Sequence, residues 1–254
     1  MDVFSVPGLP EVRPGDDLAA LVEERVDLRD GDVLAVASTV VSKAEGRLAD
    51  LEDFPPGERA EEIAARLSDI TGEEKDPRFA EAVLEESASL VMEAPFLLSE
   101  TRFGHIGVNA GIDRSNAPDH DLLLLPEDPS AAAERIRAAL SADVAVVVTD
   151  TSGRPFRHGQ RGVAIGWAGM APCRDYRGET DRDGHELAVT VECVVDELAA
   201  TANLLAGEGD GGTPVTVIRG FEFGDHDTSA NVFRDREGDL VRQAVETWEF
   251  EGGA

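Results

Sequence analysis

Asp150 and Thr151 close the apolar run DVAVVVTD and open the segment DTSGRPFRHGQRG, which gathers a carboxylate, two hydroxyls, a glycine and Arg154, Arg157 and Arg161 around one strand end. A hard divalent cation takes oxygen ligands, and arginine forks hold the phosphate or carboxylate that such a cation leaves exposed, so this mixture suits a metal-bound phosphate. The same residue types also make an ordinary capped turn. His158, in the same loop, is a further candidate for substrate contact.

Other segments offer complementary groups. GVNAGIDRSN supplies Asp113 and, three residues on, the amide of Asn116. The run ASTVVSK supplies hydroxyls at Ser38 and Thr39 and the ammonium of Lys43, as a triphosphate site requires, or else Lys43 is a solvated lysine at a strand edge. Lys43 and Lys75 are the only lysines. GEGDGG (207–212) has the letters of a dinucleotide-binding turn but follows a helix and precedes a strand, the reverse of the required order. Glu208 and Asp210 within it are metal-ligand candidates, or members of a flexible turn. No G-x-x-x-x-G-K-[ST] and no G-x-S-x-G occurs, which excludes a P-loop and leaves a hydrolase triad without support. ETDRDGHELAVT imitates the middle of a calcium loop but lacks its terminal ligands.

The elements that must position these groups follow from periodicity and breakers. DVFSV reads as a strand, DDLAALVEERVDL as a helix capped by Asp16, and DVLAVASTVVSK as an apolar strand ending in polar residues. Helix spacing predicts helices over 58–71 and 77–88, a pair lying on the surface. RFGHIGVNAGIDRSNAPDHD is turn-rich and precedes a strand at DLLLL. Helix PSAAAERIRAALSA leads to the buried strand DVAVVVTD, whose C-terminal end is where function gathers in such sheets. The glycine-rich VAIGWAGMAP and the charged loop CRDYRGETDRDG follow. A short strand then helix over 186–206, strand TPVTVIRG and a helix near DLVRQAVETW close the chain. The class expected is α+β or mixed α/β, a single module over 1–254 in which any second subdomain arises by chain excursion.

The 254 residues carry 52 acidic against 23 basic side chains, a formal net charge of -29 spread along the chain, so nucleic acid and anionic membranes are excluded as partners. Salt would screen this self-repulsion, as in proteins of salt-accumulating cells. No apolar stretch spans a bilayer and the start has no signal-peptide pattern, so the expected location is the cytoplasm. Cys173 and Cys193 have no partner at metal-ligand spacing and read as reduced packing residues.

Taken in order, LPEVRPGDDL, ASTVVSKAEGR, GVNAGIDRSN, DTSGRPFRHGQRGVAIGWAG, DYRG and GEGDGGTPVTVIRG resemble the coenzyme F420-0:L-glutamate ligase family along nearly the whole chain, in its free-standing archaeal form without a nitroreductase-like domain. The resemblance implies a two-part α+β subunit in an interlocked homodimer. It implies GTP-driven γ-linkage of L-glutamate to F420-0, giving F420-1 and then F420-2 through an acyl phosphate, with two divalent cations, Mn2+ or Mg2+, and K+. Matched residue by residue, Asp113, Asp150, Thr151 and Glu208 are the metal ligands, and Leu9, Pro10, Glu11, Val12, Ser38, Thr39, Lys43 and Asn116 contact the nucleotide. Arg154 and Arg157 are read from their own chemistry as holding the acidic coenzyme tail or the incoming glutamate, and join Asp113 and Asp150 as the catalytic set. A related amide ligase or phosphotransferase acting on another acid is the rival enzyme reading, and a non-catalytic acidic metal-binding or scaffold protein the rival outside catalysis.

Overall fold

A computed structural model describes residues 1–209, 211–224, 226, 231–248 and 250. In chain order the elements are β1 (Asp2–Ser5), α1 (Leu18–Glu23), β2 (Val33–Ala37), α2 (Ser38–Ala44), β3 (Leu48–Ala49), α3 (Glu58–Thr71), α4 (Pro77–Glu86), β4 (Ser87–Met92), β5 (Leu98–Thr101), β6 (Ile106–Val108) and β7 (Leu122–Leu123). There follow α5 (Pro129–Ala139), β8 (Ala145–Ser152), β9 (Arg161–Ala168), β10 (Cys173–Asp175), β11 (Val191–Cys193), α6 (Val194–Ala206), β12 (Val215–Arg219) and α7 (Leu240–Glu246). The class is α+β. The chain divides into two units, each built from two stretches: Met1–Gly46 with Asp128–Val232, and Arg47–Glu127 with the described residues from Phe233 onward.

The first unit holds a five-stranded sheet in the order β1-β12-β2-β8-β9. Its apolar runs of valine, leucine and alanine are the strands buried on both faces, which is why they show no alternation in sequence. Only β2 and β8 run parallel, and the other pairs are antiparallel. On one face α6 packs Val194, Val195, Leu198 and Ala199 against Val33, Val147, Ala164 and Ile218. A register shift in the β8–β9 pair, where Val148 faces Gly166 but Thr149 faces Ala164, inserts one extra residue into β9 and reverses which face its side chains take. Both helices therefore approach β9 through glycines: a Cβ on Gly162 would lie 2.4 Å from the Ala199 carbonyl oxygen of α6, and one on Gly166 2.3 Å from the Pro129 carbonyl carbon of α5.

The second unit has a core of its own. Ala60, Ile63, Ala64 and Leu67 of α3 and Ala80, Ala82 and Val83 of α4 are buried together with Leu51, Phe54, Leu97, Leu122 and Leu124. The helical pair expected on the surface thus buries one full face, because three and four residue spacing places its small and aliphatic side chains on one stripe. β4, β5 and β6 form an antiparallel sheet.

Several expectations are corrected. Asp17, not Asp16, caps α1, accepting from the Ala20 N–H at 3.1 Å, while Asp16 accepts from the Arg13 N–H at 2.7 Å. The run 32–43 is not one strand: β2 stops at Ala37 and α2 begins at Ser38. A continuous apolar run does not distinguish strand from helix, and here polar Ser38, Thr39 and Ser42 recur within it. The second predicted helix ends at Glu86, and Ser87 and Ala88 belong to β4. The turn-rich 102–121 segment includes β6, the strand at DLLLL shortens to Leu122–Leu123, and the glycine-rich VAIGWAG is strand β9. No helix among the described residues is long and apolar enough to cross a membrane.

Candidate functional site

Because β2 and β8 are parallel with Ala37 opposite Thr149, the residues that follow each strand position by one step, Ser38 and Asp150, fall level with each other. Ser38, 3% exposed, donates its hydroxyl to Asp150 Oδ1 at 3.2 Å. Successive side chains on a strand point to opposite faces, so Thr151 is turned away from Asp150 toward the α6 side. There Thr151 Oγ1 donates to Glu208 Oε1 at 3.1 Å. Glu208 stands just beyond α6 because Gly207, at φ 69, ends that helix. Asn203, in the last turn of α6, donates its amide to Glu208 Oε1 at 2.7 Å. The first unit therefore gathers four sequence-predicted residues into two oxygen pairs, Ser38 with Asp150 and Thr151 with Glu208. Asn203 was not anticipated, since a helical asparagine gives no signal until the turn that returns to it is known. Asp210 lies outside the described residues.

These donors are carboxylates and hydroxyls, the ligand chemistry of a hard divalent cation. No cluster of three or more histidine, cysteine, aspartate or glutamate side chains forms among the described residues. A cation at Asp150, Thr151 or Glu208 thus fits the donor type and would complete its shell with phosphate oxygens or water.

Lys43 is not a solvated strand-edge lysine. It lies on α2, is 8% exposed, and places Nζ 2.5 Å from Glu11 Oε1. Its ion pair ties together two segments expected to contact the nucleotide. Val12 is buried in the core, leaving Leu9 half-buried and Pro10 and Glu11 exposed beside it, while Thr39 is half-buried next to Ser38.

The three arginines of the β8–β9 connection separate. Arg161 lies 3.8 Å from Asp196 and is committed to α6. Arg154 donates Nη1 to the Gly159 carbonyl at 3.3 Å, and Arg157 and His158 are exposed.

Asp113 and Asn116 belong to the second unit. Asp113 accepts from the Ser115 N–H at 2.7 Å, the Ser115 hydroxyl at 2.6 Å and the Asn116 amide at 2.7 Å. Burial pushes its carboxyl up, but these hydrogen bonds together outweigh burial and hold it below the usual aspartate value. The chain reaches it through Asn109 and Ala110 at φ 54 and 55, a left-handed pair that side chains rarely adopt, with the Ala110 N–H held by Ser99 Oγ at 3.0 Å.

The sequence profile described as F420-0:Gamma-glutamyl ligase matches residues 8–220, a stretch that includes every residue above. The chain is similar to the coenzyme F420:L-glutamate ligase of Halorubrum lacusprofundi, at 70% identity over 99% of this chain and 100% of the relative. It is similar to that of Halobacterium salinarum at 71% over 99% and 100%, and to that of Archaeoglobus fulgidus at 48% over 96% and 98%. A profile match over most of the chain and full-length likeness at these identities show that the chain belongs to the F420-0:gamma-glutamyl ligase family.

Proposed function

We propose that this chain is a GTP- and divalent-metal-dependent ligase that joins L-glutamate through γ-linkages to F420-0, forming F420-1 and then F420-2. The observation that carries this reading is the pairing of Ser38 with Asp150 and of Thr151 with Glu208 at the end of β8, beside Arg154 and Arg157. Membership of the family, whose relatives bear the name coenzyme F420:L-glutamate ligase, supports the acceptor and the amino acid.

A carboxylate does not condense with an amine at neutral pH, so the carboxylate oxygen first takes the γ-phosphoryl group of GTP, releasing GDP and leaving an acyl phosphate. The glutamate amine then attacks the acyl carbon, and phosphate leaves with the bonding pair. Asp113, Asp150, Thr151 and Glu208 would hold two Mn2+ or Mg2+ ions, with K+ assisting; when bound, these supply charge neutralisation on the transferring phosphoryl group. Ser38 orients the Asp150 carboxylate, and Asn203 orients that of Glu208. Glu11 holds Lys43 ready near the nucleotide-contact segment Leu9–Val12, with Thr39 and Asn116 completing the contacts proposed for GTP. Arg154 and Arg157 hold the anionic acceptor tail or the incoming glutamate. The proposed working form is a cytoplasmic homodimer, to which exposed Val189 and Leu204 offer apolar surface.

Mass spectrometry of the protein incubated with F420-0, L-glutamate, GTP and manganese tests this reading. The expected product carries one and then two glutamyl increments and disappears when GTP or metal is omitted. GTP turnover without a lengthened coenzyme would assign the site to a different acid.

A further inference from the structure

Phe156 has a relative exposure of 101%, the highest of any aromatic side chain among the described residues. Its φ is 65, in the left-handed region that disfavours any residue with a Cβ. Glycine or asparagine would suit that backbone better, and a polar side chain would suit the exposure better. An aromatic ring held out in solvent on a strained loop contributes nothing to the core. Strain retained beside a reaction centre points to a use in binding.

The flanking residues say what is bound. In a chain with 52 acidic and 23 basic residues an arginine readily finds a carboxylate, yet Arg154 is held only by the Gly159 carbonyl, at 3.3 Å, and Arg157 is exposed without an ion pair among the described residues. Two arginines left open to anions bracket an aromatic ring within four consecutive residues, on the loop that leaves β8 after Asp150 and Thr151. A ring face beside fixed cations recognises a planar heteroaromatic group carrying a negatively charged tail.

We infer that Phe156 stacks on the planar ring of a phosphate-bearing heteroaromatic substrate, with Arg154 and Arg157 taking the anionic tail. This rests on the ligase reading, in which two substrates share that chemistry: the guanine nucleotide and the deazaflavin acceptor. Stacking moves the ring out of water, so the strained loop and its ligand stabilise each other. Phe156 is a specificity-determining residue here, separate from the groups that hold metal or move phosphate.

The test is equilibrium binding of GTP and of F420-0, measured separately with the full-length protein and with Phe156→Leu, Phe156→Gly and Phe156→Tyr. Leucine keeps apolar bulk without a π face, glycine relieves the backbone, and tyrosine keeps the ring. The expected result is that Leu and Gly weaken one of the two ligands about tenfold or more, while Tyr stays within about twofold of the parent, with the melting temperatures of Leu and Tyr unchanged and that of Gly equal to the parent's or higher. Weakening in the F420-0 arm assigns the ring to the deazaflavin, and weakening in the GTP arm to guanine. Unchanged binding of both ligands by the Leu variant overturns the inference, as does equal weakening by Leu and Tyr. A change in oligomeric mass with unaltered affinities also overturns it, since a second copy of the chain then covers the ring. Failure of the parent protein to bind either ligand is a different result, which removes the ligase reading and this inference with it.

Discussion

Ser38 donates its hydroxyl to Asp150 Oδ1 at 3.2 Å across 112 residues of sequence, joining the end of β2 to the end of β8. Asp150→Asn keeps the shape and removes the charge, so the expected loss in metal-dependent GTP use is at least about 100-fold, with the circular dichroism spectrum unchanged. Ser38→Ala removes only the orienting hydrogen bond and should cost about tenfold in kcat. Steady-state kinetics across a manganese titration read both, and a parent-like Asp150→Asn protein would sink the catalytic reading.

Lys43 and Glu11 form an ion pair with one buried and one exposed end, their side chains 11% and 58% exposed. Such a half-exposed pair contributes about 1 kcal/mol or less, so Glu11→Gln should leave the melting temperature nearly unchanged. Lys43→Met should raise the KM for GTP about tenfold or more while leaving the KM for glutamate unmoved. An equal rise in both constants would show Lys43 to be structural.

Gly166→Ala should destabilise the protein by about 3 kcal/mol, because the new methyl meets backbone of α5 at 2.3 Å and no side chain can rotate aside. Gly153→Ala, in open space, is the matched control and should change stability by less than about 1 kcal/mol. Urea denaturation compares the two.

Cys173 and Cys193 face each other in the β10–β11 pair, and the hydrogen bond from the Tyr176 N–H to the Thr190 carbonyl makes theirs, three steps away, a non-hydrogen-bonded position with side chains close together. Burial pushes both thiols up, that of Cys193 to about 12. Alkylation of the native protein near neutral pH should therefore be slow and become fast in denaturant. The folded state keeps the Cys193 proton after the unfolded chain has released it, so the stability gained is complete below the unfolded thiol value of about 8.5 and is lost as pH rises toward 12. The unfolding free energy of the parent should fall with pH over that window, and Cys193→Ala should flatten that fall.

The formal net charge of -29 predicts a melting temperature that rises as potassium chloride is raised from about 0.1 M to about 2 M, since at the lower concentration like charges still repel one another out to about 10 Å. A flat profile by differential scanning calorimetry would show that ion pairs such as those of Arg47 with Glu86 and Arg242 with Glu100 already neutralise the repulsion locally.

Local patterns were legible where one principle acted alone. The boundaries of α3, Glu58 to Thr71, follow from the break at Pro55-Pro56-Gly57 and the aliphatic stripe, and β8 follows from its valine run. β9 was not legible, because Gly162 and Gly166 look like loop residues until the helices that press on them are in place. The switch from β2 to α2 was missed for a related reason: Val40 and Val41 satisfy either period, and only packing selects one.

By itself, the sequence determined which residue types are present for chemistry: a carboxylate and hydroxyl at the end of an apolar run, arginines after them, and a lysine rare enough to mark its segment. It also determined the charge that bounds the partners. Tertiary structure alone decided that Ser38 meets Asp150, that Asn203 holds Glu208 against Thr151, that Arg161 is committed to Asp196, and that Glu11 holds Lys43. Those pairings join residues on different elements, and strand register and helix docking, which no local pattern encodes, set which side chains come within hydrogen-bonding reach.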